Sequence, residues 1–131
     1  MNAEKSQGHE QPPKNLILET SFLFAIQIVG LCKSLVKRNE FVLSKQILRS
    51  GTAIGALVRE AQHGESKRDF VHKLAIALKE ANETSYWLEL LHHSQWIDSE
   101  TFEPLHAENL RLLRILTAII KKAKANLISM P

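Results

Sequence analysis

Ser44-Lys-Gln-Ile-Leu-Arg-Ser-Gly-Thr-Ala-Ile-Gly-Ala-Leu-Val-Arg-Glu-Ala-Gln-His-Gly64 reads as a helix whose inward face is built largely from small residues. At about 100° per residue, Leu43, Ile47, Ser50, Gly51, Ile54, Leu57, Val58 and Ala61 share one arc, with Gly55 at its rim. A glycine inside a helix costs roughly 1 kcal/mol relative to alanine. Two of them call for compensation, and close approach by another helix supplies it, because a missing side chain lets the axes draw together. The stretch is therefore read as the tightly packed central helix of a bundle.

Working outward, Asn39 and Glu40 form a short turn before this helix, and Gly64 ends it with His63 in the last turn. Connections this short make antiparallel neighbours. Upstream, Asn15 can cap a first helix over about 16–38. Its inner arc is read as Leu18, Phe22, Ala25, Val29, Cys32 and Val36, with a second row of Phe24, Ile28, Leu31 and Leu35. Lys33, Lys37 and Arg38 fall in its last turns, where cations complement the helix dipole. Downstream, Ser66 caps a third helix over about 66–93, with Asp69 completing an approximate capping box. Its small residues, Ala77 and Ala81 among them, are expected to face the glycines Gly51 and Gly55 around Ile54. A fourth helix runs over about 99–127, capped by Asp98 or Ser99, with a possible restart near Glu103 because of Pro104. Its inward arc carries Phe102, Leu105, Leu112, Leu113, Leu116, Ile119, Ile120, Ala123 and Leu127. The pattern predicts an all-α, up-down-up-down four-helix bundle over 16–128. A polar N-terminal arm, 1–15, contains Gly8, His9 and the Pro12-Pro13 pair and reads as disordered, and the tail from Asn126 is expected to fray.

The length of 131 residues and the 44% hydrophobic content suit one domain with one core. A single cysteine, Cys32, excludes an intrachain disulfide framework and points to a cytoplasmic setting. The arm is too polar for a signal-peptide core, and no apolar run near the length of a membrane span is read. The formal charge of +3 is mildly basic and compatible with nucleic acid.

Two surfaces stand out. On helix three, Ile76, Trp87 and Leu90 lie roughly opposite the core arc, interspersed with Glu80 and Glu83. An aligned Trp with two aliphatics predicts self-association, with Arg49 or Arg59 of a neighbouring copy pairing with the two glutamates. On helix four, Arg111, Arg114, Lys121 and Lys122 occupy about a quarter to a third of the circumference, with Ala118 and Ala125 between them. Repeated around an assembly, these cations would make a belt able to contact phosphates, RNA foremost, with little sequence preference.

Chemistry was sought at several places. Glu60-Ala-Gln-His63 and Glu89-Leu-Leu-His92 both match the E-x-x-H pattern of di-iron bundles. An antiparallel hairpin turning at Gly64 puts His92 about 35 to 40 Å from His63, at roughly 1.5 Å per residue, so they cannot share a metal. Glu60, His63, Asp69 and His72 could be level across the turn but point outward on the helical projection. Arg59 to His63 and Arg68 to His72 each leave three intervening residues, narrowly missing the spacing of helical ribonucleases. Cys32 faces inward as a small hydrophobe. No catalytic residue, metal or cofactor is assigned.

The chain resembles the small bacterial four-helix-bundle family of proteins encoded in intervening sequences of 23S ribosomal RNA genes. The resemblance spans about Leu16 to Leu127. It rests on Phe41 to Thr52, Ile54-Gly55-Ala56, Glu60-Ala61, Lys67 to Phe70, Lys79-Glu80-Ala81, Glu83-Thr84 and Tyr86-Trp87-Leu88. Ala53 and Leu57 stand where the family usually has Ser and Asn. The resemblance implies a ring-like homopentamer, no enzymatic activity and, through the related accessory proteins of diversity-generating retroelements, an association with nucleic acid. The functional expectation is a non-enzymatic oligomeric scaffold that binds RNA or other nucleic acid. Its rivals are an adaptor directed at another protein and a metal or nuclease site near Gly64.

Overall fold

The computed structural model describes residues 13–128, with side chains from Leu16 onward; the arm over 1–12 and the tail over 129–131 lie outside the described residues. Those residues form four helices, α1 (Pro13–Lys37), α2 (Val42–Gln62), α3 (Lys67–His93) and α4 (Ser99–Ile128), and no strand. Helix α1 begins at Pro13, where a missing N–H costs little, so Asn15 lies inside its first turn instead of capping it. The side chain that starts α2 is Glu40. Its carboxylate accepts from the backbone N–H groups of Ser44 at 2.7 Å and Leu43 at 3.1 Å, while Ser44 Oγ donates to the Glu40 carbonyl at 2.8 Å. Asn39, at φ 68°, turns the chain between α1 and α2 in the left-handed region that asparagine tolerates.

Ser66 caps α3, accepting from Asp69 N–H at 3.0 Å, while the Asp69 carboxylate reaches back to Glu65 N–H at 3.3 Å. Asp98 starts α4 by accepting from Thr101 N–H at 2.9 Å, and that bond holds its carboxyl below the ordinary aspartate value. Helix α4 runs through Pro104 without a restart. Across the α3–α4 turn, the Arg38 guanidinium donates to the Trp96 carbonyl and lies 5.1 Å from the centre of its ring, tying the end of α1 to this turn.

Each helix packs on the next, and α1 and α4 touch less extensively than the other neighbours. The core joins Ile17, Phe24, Ile28, Leu31 and Leu35 of α1 to Ile47, Ile54 and Val58 of α2, Leu74, Ala77, Ala81 and Leu88 of α3, and Leu112 and Leu116 of α4. This reverses the reading of α1. The row taken as secondary is the buried one, whereas Phe22 is 52% exposed and Val29 and Val36 also face outward.

The glycines explain that choice. A Cβ on Gly51 would stand 2.9 Å from Ile28 Cγ1, and one on Gly55 would stand 3.2 Å from the Ser21 carbonyl oxygen. Both glycines therefore receive α1, and not the alanines of α3 as the sequence led us to expect. Ala77 and Ala81 are fully buried in the core, and the Ala81 carbonyl accepts from Asn109 Nδ2 at 2.8 Å.

One further correction concerns α1. Its segment Leu16–Lys37, mean hydropathy 1.7, is long and apolar enough to cross a membrane by length and composition alone. The sequence contains this run, although its apolar residues also divide into two rows of one bundle helix. Both rows are apolar; one is covered throughout, whereas of the other Cys32 is buried, Leu18 and Ala25 are half-buried, and Phe22, Val29 and Val36 are exposed.

Candidate functional site

The basic face of α4 is laid out much as its spacing predicts. Arg114, Lys121 and Lys122 are exposed and make no ion pair with another described residue. Arg111 differs, because its guanidinium donates to Glu108 one turn earlier at 3.2 Å. Three free cations and one partly neutralised one remain on a surface whose intervening Ala118 and Ala125 are also exposed. Such a face offers charge without an aromatic platform, which favours backbone phosphates over base edges.

Of the α3 residues expected to meet a neighbouring copy, Glu80, Glu83 and Trp87 make contacts within the chain. Arg49 makes paired contacts to Glu80 at 3.2 and 3.0 Å and reaches Glu83 at 2.8 Å. Trp87 Nε1 donates to Glu83 at 2.9 Å. That indole bond and then the guanidinium hold the Glu83 carboxyl below its ordinary value, while Glu80 and then Glu83 raise Arg49 further. Ile76, Trp87 and Leu90 are half-buried rather than open to solvent. Arg59 lies apart from this cluster, 5.5 Å over the ring of Phe22.

The larger uncovered apolar surface is on α1. Leu23 and Ile26 are each 53% exposed, and they join Phe22, Val29 and Val36, with Phe41, Val42 and Leu48 also exposed on the α1–α2 turn and on α2. Phe22, Val29 and Val36 read as inward from the sequence but are exposed, while Leu23 and Ile26 fall in neither apolar row. Beside this surface, a groove of about 1020 Å³ runs between α1, α2 and the start of α3, with Ala25, Gly55 and Ala56 among its lining residues. Its rim holds three of the four residues weighed for a metal. Glu60 pairs with Lys73 at 3.4 Å and Asp69 is bound into its turn, while His63 lines the groove and His72 lies outside it. Among the described residues no group of three His, Cys, Asp or Glu side chains is placed to hold a metal ion.

Two features were not anticipated. Phe102 is stacked between His92 at 4.3 Å and His106 at 4.8 Å, with His106 Nε2 3.3 Å from Glu89 and His92 Nε2 3.2 Å from Ser99 Oγ. This stack fastens the start of α4 to the end of α3. Asn109 is fully buried and donates to Ala81 and, at 2.9 Å, to Ser85 Oγ. Cys32 donates to the Ser44 carbonyl at 3.3 Å, and burial pushes its thiol up to about 11, which leaves it a poor nucleophile.

Taken together, these surfaces define a four-helix, all-α protein that presents a basic face and an apolar face. The profile of the 23S rRNA-intervening sequence protein family matches residues 14–118, and the chain belongs to that family. It is also similar to a protein of unknown function from the S23 ribosomal protein family of Bacteroides thetaiotaomicron VPI-5482, solved at 1.70 Å. The two share 50% identity over 84% of this chain and 99% of that one, with a TM-score of 0.82. No protein of curated function matches significantly. Nothing in these likenesses names a catalytic activity.

Proposed function

We propose that the chain is an up-down-up-down bundle that assembles in the cytoplasm as a homopentameric ring and serves as a non-enzymatic scaffold binding RNA through α4. The run of contacts supports the topology. Residues late in α2 meet residues early in α1 and α3, as Gly55 meets Ser21 and Glu60 meets Lys73. The apolar face of α1 supports assembly, since a contiguous uncovered patch of this kind marks an interaction site. A ring of identical subunits needs two different surfaces per copy. The α1 face is one, and the Ile76, Trp87 and Leu90 flank of α3, with the exposed Tyr86 beside it, is the other.

The observation that carries RNA binding is the set of unpaired cations Arg114, Lys121 and Lys122, which a ring would repeat around its rim. Two variants and a titration test both halves. Ile26→Glu is expected to reduce the sedimenting mass to that of a monomer, as is Trp87→Asp. The combined Arg114→Glu, Lys121→Glu and Lys122→Glu protein should stay assembled yet lose at least tenfold in RNA affinity, irrespective of sequence. The wild-type affinity should fall with salt at a log-log slope of about −0.7 per single-strand phosphate contacted. A wild-type monomer at micromolar concentration would overturn the assembly, and no complex with RNA at low ionic strength would overturn the binding.

A further inference from the structure

A second groove, of about 520 Å³, lies where the first turns of α3 pass the last turns of α4. Its size falls within the roughly 300–1,000 Å³ of small-molecule sites. Three lining residues are basic, Arg68 and His72 one turn apart on α3 and Lys124 on α4. The other four are aliphatic: Val71 and Ala75 from α3, and Leu127 and Ile128 from α4. None of the three basic side chains has an ion pair or hydrogen bond with another described residue.

The chemistry of this lining is selective by what it offers. It contains no carboxylate to attract a cation and no hydroxyl or amide to orient a sugar. A lining that combines aliphatic side chains with Arg68 and Lys124, neither of them ion-paired among the described residues, suits a molecule with the same division. Its body must be apolar and its end anionic.

We propose that this groove binds, from solution, an anion carrying a single unbranched aliphatic chain, with a carboxylate or phosphate monoester at its head. Arg68, His72 and Lys124 receive the head, and Val71, Ala75 and Leu127 cover the chain. The site stands apart from the RNA reading, because Arg114, Lys121 and Lys122 do not line it.

Isothermal titration of the full chain with hexyl, octyl and decyl phosphate, each below its micelle concentration, tests this directly. Affinity should rise by about fourfold per methylene, the gain expected when each CH₂ leaves water. Octyl and decyl carboxylates should follow the same trend. Arg68→Glu with Lys124→Glu should weaken decyl phosphate at least tenfold, whereas Lys121→Glu should leave it unchanged. Ala75→Phe should flatten the chain-length dependence by filling the groove. Inorganic phosphate binding as tightly as decyl phosphate would reduce the site to a bare anion patch, and octanol binding equally would remove the role of the cations. Pelleting with vesicles containing anionic phospholipid, without binding of the dissolved amphiphiles, would replace the proposal with a membrane surface. Each of these three results overturns it.

Discussion

Helix α2 is held on its two flanks by different physics. Toward α1 the contact is mainly steric: Gly51 and Gly55 have no side chains, Ile28 and the Ser21 backbone occupy the space, and the one hydrogen bond described between the two helices runs from Cys32 to the Ser44 carbonyl. Toward α3 the apolar core is joined by polar contacts: Arg49 spans Glu80 and Glu83, Thr84 Oγ1 donates to Ser50 Oγ at 2.9 Å, and Lys73 meets Glu60. At Gly51 and Gly55 the two helices approach closely, so an added side chain should be costly there. The charged part of the polar flank is largely exposed, and water competes for the same groups. One helix thus owes its close approach to α1 to missing atoms, while toward α3 polar and charged contacts border the shared apolar core.

The largest effect should come from the α1 row that the steric flank buries. Phe24 is fully enclosed and Phe22 is half in solvent, so the same truncation should separate them. Phe24→Ala is expected to cost about 3–5 kcal/mol in urea unfolding, the usual range for an enclosed phenylalanine. Phe22→Ala should stay within about 1 kcal/mol in the monomer while weakening self-association. Equal losses would break the assignment of the two rows. Next in size is the glycine itself. Gly51→Val must displace Ile28, a stiff β-branched neighbour, and should cost about 1–3 kcal/mol despite relieving a helical glycine. Gly30 provides the contrast within α1, because a Cβ there meets nothing within 4 Å. Gly30→Ala should stabilise by about 0.5–1 kcal/mol, so calorimetry of the two variants sharpens the distinction between a glycine that is required and one that is tolerated.

Much of this was legible in the chain because the signals are periodic or local. Four helices follow from apolar spacing, and the Ser66 cap follows from its position before Asp69. The basic face of α4 needs only the 100° projection. The pairing of surfaces was less legible. Two apolar rows on α1 have nearly the same composition, and only the shape of the partner, Gly51 against Ile28, decides which is covered. Arg49 has carboxylates in reach whether its partner is its own α3 or another copy's, and sequence spacing contains no information about that choice. The Phe102 stack joins residues of α3 and α4 across their turn, so it depends on how these two helices sit against each other. The two-row excess on α1 was nevertheless a warning that a second surface would remain uncovered.

The polar flank should show the smallest and most condition-dependent response. Glu83 has its folded-state carboxyl held below the ordinary value by the Trp87 indole and by Arg49. The unfolded chain therefore binds a proton more readily, and stability must fall as acid is added. The contribution is fully present above the unfolded glutamate value, begins to fade near about pH 5, and is gone below the lowered folded value. Its size is limited by exposure, since the Arg49 side chain is 50% and that of Glu83 38% open to solvent, and exposed pairs contribute only about 0–1 kcal/mol. The informative measurement is a difference. Unfolding of wild type and Glu83→Gln, followed from pH 7 to pH 3, should give curves that converge in acid, with the pH 7 gap shrinking in 1 M salt. A gap that persisted unchanged at pH 3 would assign the effect of the substitution to packing around Trp87, and the two flanks of α2 would then be held by the same physics after all.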